Sequence, residues 1–221
     1  MAVGIDGARL VRKNTWTMAQ KLFDKRLAVL GAGKLGGILL RAYLKQGLFA
    51  AKRVTATVKH GEKAASLAKE LGVNVTNDNR KAVKGADIVL LGVKPQVVGD
   101  VLKEIAPELG EETLVISVAA SVPTSYLEER LGEAAMASGA QTEVPVVRAM
   151  PNTPSAVGCG MTGICAGAHA KPEHVEIARA MFDAVGRTVA VDEKNMDAVT
   201  PCPRAVRRMR TSFWNRWRKP E

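Results

Sequence analysis

Short apolar runs that alternate with segments of helical period predict an α/β fold built on a doubly wound, mainly parallel sheet. Three observations carry that expectation. ADIVLLGV (86–93) and ETLVISVAA (112–120) are continuous apolar runs, as expected of strands covered on both faces. Helix-like stretches separate such runs along the chain, with no internal repeat. A G-x-G-x-x-G string, Gly31 to Gly36, falls between the first strand-like and the first helix-like segment.

Taken in order, RLAVLG (26–31) reads as a strand that runs into glycines. KLGGILLRAYLKQG (34–47) places Leu35, Ile38, Leu39, Ala42 and Tyr43 on one helical face, with Gly47 as the stop. RVTATV (53–58) is β-branched and strand-like, and EKAASLAKELG (62–72) is helical to its closing glycine. GVNVT (72–76) is a short strand and NRKAVKG (79–85) a short helix. After the strand at 86–93, PQVVGDVLKEIAPEL (95–109) reads as a helix with proline in its first turn. The strand at 112–120 precedes a helix at 123–131, the strand VPVVRAM (144–150) and a Gly-rich stretch, CGMTGICAG (159–167). A helix (172–184) and the strand GRTVAVD (186–192) complete the pattern. Connections between parallel strands are expected to be right-handed crossovers. Ligands of such sheets bind at the carboxyl ends of strands, where strand order reverses.

Composition narrows the class. Of the 221 residues, 47% are hydrophobic and 24% charged, so the chain is not of the disordered type. Aromatic residues are only 4%, so the core falls to Ala, Val and Leu. No run approaches the ~20 apolar residues of a bilayer span, and the start lacks a signal-peptide layout. Cys159, Cys165 and Cys202 form no C-x-x-C pair, so neither a disulfide scaffold nor a metal site is expected. A reducing, cytoplasmic location fits. His169 and His174 read as solvated side chains, and Met18 and Met150 carry no metal-site logic.

The net charge of +10 raises nucleic acid as a partner. Its distribution disfavours that class for the central part. Residues 1–17 carry a net +2 and residues 201–221 a net +6, while residues 18–200 are nearly balanced at +2. The flanks also hold all three tryptophans, Trp16, Trp214 and Trp217. We therefore expect an extension (1–17), a nucleotide-binding domain (18–200) and a basic tail (201–221).

In the strand–loop–helix context Gly31 permits the tight turn. Gly33 lets the backbone approach a pyrophosphate, and Gly36 lets the helix pack close to the sheet. Free N–H groups and the helix dipole would bind the phosphates. This makes the expected fold Rossmann-type. The second strand ends in Val58-Lys59-His60-Gly61-Glu62. Basic residues at its first polar positions suit a 2′-phosphate and hence NADP, while Glu62 keeps NAD open as the alternative.

GAGKLGG (31–37), VKPQVV (93–98), SVAASVP (117–123) and RAMPNTP (148–154) occur in that order. Together they resemble 1-pyrroline-5-carboxylate reductase, the last enzyme of proline synthesis, over about residues 22–200. The resemblance implies hydride transfer from NADPH, or NADH, to the C=N carbon of 1-pyrroline-5-carboxylate. It implies that Gly31, Ala32, Gly33, Lys34, Leu35 and Gly36 hold the pyrophosphate. Lys59 and His60 would face the adenosine phosphate, and Asn79 the ribose or adenine. Val93, Lys94 and Pro95 would lie beside the nicotinamide ribose. Ala119, Ala120, Met150 and Asn152 would shape the nicotinamide pocket. Lys94 as a surface cation and Asn152 as a turn former between prolines stay open as alternatives. No catalytic residue is assigned.

In that family an all-helical C-terminal domain follows, forms the homo-oligomer and supplies much of the substrate pocket. Here Asn195-Met196-Asp197-Ala198-Val199-Thr200 is followed by PCPRAVRRMRTSFWNRWRKPE, so the expectation is a chain without that helical domain. Written in GC-rich codons and read from the third base, the tail can give LSASGPAYAYVILESLAEAG, which resembles the family's substrate loop and following helix. The expectation is a frameshift after Thr200 and a chain that binds cofactor without useful turnover. The alternatives are a nucleotide-binding module with a basic nucleic-acid-binding tail, and a related NADP-dependent dehydrogenase for another small acid. Residues 1–17 are read as an upstream start or a mobile arm.

Overall fold

A computed structural model describes residues 22–59, 61–110, 112–139, 143–152, 155 and 160–196, with residues 61–63 described for backbone alone. The expectations for residues 1–17, Met18, His60, Cys159, Cys202 and the tail from 201 lie outside the described residues.

One eight-stranded sheet organises the chain, in the order β3-β2-β1-β4-β5-β6-β7-β8. The strands are β1 (Leu27–Leu30), β2 (Val54–Thr57), β3 (Asn74–Thr76), β4 (Ile88–Leu91), β5 (Leu114–Ser117), β6 (Val146–Pro151), β7 (Gly160–Ala166) and β8 (Gly186–Ala190). Strands β1 to β6 pair in parallel. Strand β7 runs antiparallel to β6 and parallel to β8. The helices are α1 (Lys34–Lys45), α2 (Gly61–Leu71), α3 (Asn79–Val83), α4 (Val98–Ile105), α5 (Thr124–Ala137) and α6 (Pro172–Asp183).

The continuous apolar runs are strands because both faces of the sheet are covered. Along β1, Leu27 and Val29 point into one apolar layer, where Leu39, Leu40 and Tyr43 of α1 meet Ala178, Met181 and Phe182 of α6. Ala28 and Leu30 point into the opposite layer, with Val83 of α3, Leu102 and Ile105 of α4 and Leu127 of α5. The period-2 alternation of a strand is thus apolar on both sides. Every residue of β1, β4 and β5 is buried.

The structure departs from the sequence reading at three elements. The Gly-rich stretch contains a strand of seven residues, β7. Its glycines serve close packing: a Cβ at Gly186 would collide with the backbone of Gly160 in the neighbouring strand. The segment 95–109 is not one helix. Three-residue 3-10 turns at Pro95–Val97 and Ala106–Glu108 flank the eight residues of α4. Helix α5 runs on to Ala137, since Ala134–Ala137 are favourable helix residues, and Gly139 (φ 76°) follows its end.

Candidate nucleotide site

Six parallel strands put their carboxyl ends on one edge of the sheet. Strand β1 lies between β2 and β4, so strand order reverses there and leaves a crevice. At its mouth the chain turns through Gly31, whose φ of 84° disfavours any residue with a Cβ. The turn is anchored on β2. Thr57, its last residue, is 4% exposed. The Gly31 N–H donates to Thr57 Oγ1 at 3.0 Å, and the Ala32 N–H donates to the Thr57 carbonyl at 2.7 Å.

The first turn of helix α1 then meets the glycine loop backbone to backbone. A Cβ on Gly36 would collide with the Gly31 carbonyl oxygen. A Cβ on Gly92, just past β4, would stand 3.0 Å from the same oxygen and 3.2 Å from the Gly36 Cα. Gly33 is the exception: no heavy atom lies within 4 Å of its Cβ position. Gly33 is also the N-cap of α1, which has no side-chain cap and no acidic residue in its first turn. Lys34 is exposed there. A helix start with unclaimed N–H donors, a positive dipole end and a lysine disfavours an isolated helix and favours a bound phosphate.

The remaining predicted residues follow the other strand ends. Lys59 is exposed beyond β2, where the Val58 N–H donates to the Thr76 carbonyl of β3 at 3.2 Å. Asp78 caps α3 by accepting from the Lys81 N–H at 3.0 Å, which holds its carboxyl below the usual range. Asn79 lies beside it and donates its amide to Glu104 Oε2 at 2.9 Å. At the end of β4, Val93 is half-buried and reaches Gly31, with Cγ1 2.8 Å from the Cβ position of that glycine. Lys94 and Pro95 are exposed. After β5, Ala119 is buried and Ala120 exposed. Ser121 next to them is the one described non-glycine residue with a positive φ, 57°, a strained conformation of the kind that collects at binding loops. At the end of β6, Met150 is 6% exposed. Asn152 Oδ1 accepts from the Met161 N–H at 2.9 Å, which ties β6 to β7.

Thr57 and Gly92 escaped the sequence reading. A threonine closing a strand has no signal of its own, and Gly92 stood inside an apparent strand. The histidines need one correction. His174 is not solvated: it is 7% exposed, and its Nδ1 accepts from the Lys171 N–H at 3.0 Å at the start of α6. Burial pushes its pKa below the ordinary histidine value. His169 is exposed, with Nδ1 3.3 Å from Glu143. Cys165 is buried and free, and burial raises its thiol pKa to about 12, so it is no nucleophile. Among the described residues no cluster of His, Cys, Asp or Glu could hold a metal ion. No described helix is long and apolar enough to cross a membrane.

Residues 26–121 match the family model described as NADP oxidoreductase coenzyme F420-dependent. A pyrroline-5-carboxylate reductase from Methanosarcina acetivorans is 37% identical over 177 residues, which cover 80% of this chain and 62% of that protein. One from Pseudomonas aeruginosa is 37% identical over 176 residues, covering 79% of this chain and 61% of that protein. The chain thus spans about three fifths of the length of these curated relatives. Among solved structures, a pyrroline-5-carboxylate reductase from Coxiella burnetii superposes with a TM-score of 0.71 at 30% identity, over 79% of this chain and 62% of that one. By sequence and fold, about four fifths of this chain is similar to pyrroline-5-carboxylate reductases.

Proposed function

We propose that the chain binds NADPH across the β1 switch point and provides the cofactor half of a reductase for 1-pyrroline-5-carboxylate. One observation carries the reading. Gly31, Gly36 and Gly92 close on one another while Gly33 alone stays open above an uncapped helix start. That is a cradle a Cβ would fill, and the donor set suits a pyrophosphate.

Bound there, the reduced nicotinamide would supply a hydride to the imine carbon while the imine nitrogen takes a proton, giving proline and the oxidised cofactor. The chain's own residues bind and orient. The N–H groups of the first turn of α1 hold the pyrophosphate. Lys59, with His60, meets the 2′-phosphate of the adenosine, and Asn79 lies at the adenosine end. Val93, Lys94 and Pro95 flank the nicotinamide ribose. Ala119, Ala120, Met150 and Asn152 wall the ring, and the small alanines leave room for it. The substrate is a small anionic imine. A cytoplasmic setting suits the free, buried thiol of Cys165.

Calorimetric titration tests the cofactor half separately from turnover. The expected result is stoichiometric NADPH binding, tighter than NADH. Lys59→Ala should weaken NADPH by roughly 1 kcal/mol or more and leave NADH unchanged, since only NADPH carries the phosphate. No binding of either dinucleotide overturns the reading.

A further inference from the structure

We propose that Glu193 is a positioning residue for the nicotinamide end of this site, fastening the loop after β5 and strand β6 into one wall. The inference rests on the nucleotide reading above. Glu193 lies in the 3-10 turn Glu193–Asn195 after β8, far along the chain from the groups it joins. Its Oε1 accepts from the Thr124 N–H at 2.7 Å and its Oε2 from the Thr124 hydroxyl at 2.6 Å. Oε1 also stands 3.5 Å from Arg148 Nη1.

Each contact answers a local need. Thr124 is the first residue of α5, whose N-cap is Pro123, and a proline offers no side-chain oxygen to the helix start. Glu193 takes that role from 69 residues away and adds a full negative charge at the positive helix end. Arg148 is 3% exposed on β6, and a guanidinium so buried requires a counter-charge. The turn is itself seated: Met196 is fully buried and packs with Met150, Cys165 and Val191.

The bridged residues are the near neighbours of the nicotinamide wall. Thr124 follows Ala119, Ala120 and the strained Ser121. Arg148 precedes Met150 by two residues and Asn152 by four on the same strand. Among the described residues, the glycine loop and the adenosine end share no bond with this carboxylate. Glu193 therefore acts on one half of the dinucleotide site.

The test compares NADPH with 2′,5′-ADP, which has the adenosine end and no nicotinamide. In Glu193→Gln the charge is lost and the shape kept. Its NADPH dissociation constant should rise about tenfold, the size of one lost charge-assisted hydrogen bond, while that of 2′,5′-ADP stays within about twofold. Thr124→Ala removes only the hydroxyl contact and should shift NADPH alone, by a smaller factor; it keeps the test decisive if Glu193→Gln folds poorly. Equal weakening of both ligands, or of neither, overturns the positioning role. Wild-type chain that binds neither ligand overturns the nucleotide reading, and this inference with it.

Discussion

A Cβ on Gly92 would stand 3.2 Å from the Cα of Gly36, so the loop after β4 and the first turn of α1 meet backbone to backbone. Both glycines also crowd the carbonyl oxygen of Gly31. A Cβ on Gly33, inside the same loop, would meet no heavy atom within 4 Å.

That contrast separates two kinds of glycine by experiment. Gly36→Ala drives a methyl into a backbone carbonyl that has no side-chain freedom to yield. Stability should fall by about 1–3 kcal/mol, the usual cost of overpacking. Gly33→Ala meets open space at an ordinary φ of −79°. It should leave stability within about 1 kcal/mol and yet weaken NADPH, because the methyl stands where the pyrophosphate approaches. Denaturant melts paired with NADPH titrations check both. A Gly33→Ala chain that keeps wild-type affinity would show that the loop does not hold the phosphates.

Thr57 anchors the loop through both its hydroxyl and its carbonyl. Thr57→Val keeps the β-branched shape and leaves the Gly31 N–H without its acceptor. Leaving such a half-buried donor unsatisfied costs up to about 1–3 kcal/mol. Affinity for NADPH should fall with it, since the turn loses one of its two bonds to β2. Chemical denaturation and cofactor titration of the variant read the two effects; a Thr57→Val chain matching wild type in both would show that the bond carries no weight.

His174 sets a pH dependence. Its folded pKa lies below the ordinary value, chiefly because burial disfavours the imidazolium, and its Nδ1 must stay unprotonated to accept from the Lys171 N–H. The unfolded state therefore binds the proton first as pH falls. Stability contributed by neutral His174 is complete above the unfolded pKa of about 6.5 and is lost as pH drops toward the lower folded value. Among the nearby charges, Lys171 acts with burial, while Glu173 and Glu112 oppose it. Unfolding free energy measured between pH 7.5 and 5 should decline, and His174→Phe should flatten that decline. An identical slope in the variant would place the effect on other groups.

Much of the sheet was legible because its signals are local. A strand buried on both faces must be continuously apolar, and ADIVLLGV and ETLVISVAA contain β4 and β5. Strand β7 was hidden because glycine is a weak strand former on its own. Gly186 is there for the close approach of its backbone to that of Gly160, a pairing no local window contains. His174 was misjudged for a related reason: its polar sequence neighbours say nothing of the sheet-facing side of α6 that buries it.

The same division runs through the site. The glycine spacing, the basic Lys59 and the four motifs in order are properties of the chain, and the sequence by itself determined the doubly wound class and the dinucleotide chemistry expected of it. Only the tertiary structure decided that Gly92 completes the glycine contact, that Thr57 carries the turn, and that Glu193 joins Arg148 to Thr124 across 45 and 69 residues. The physical reason is range. Turn sterics and hydrophobic period act between near neighbours and are written in order along the chain. A buried charge or an uncapped helix start can be answered by any residue the fold delivers to it.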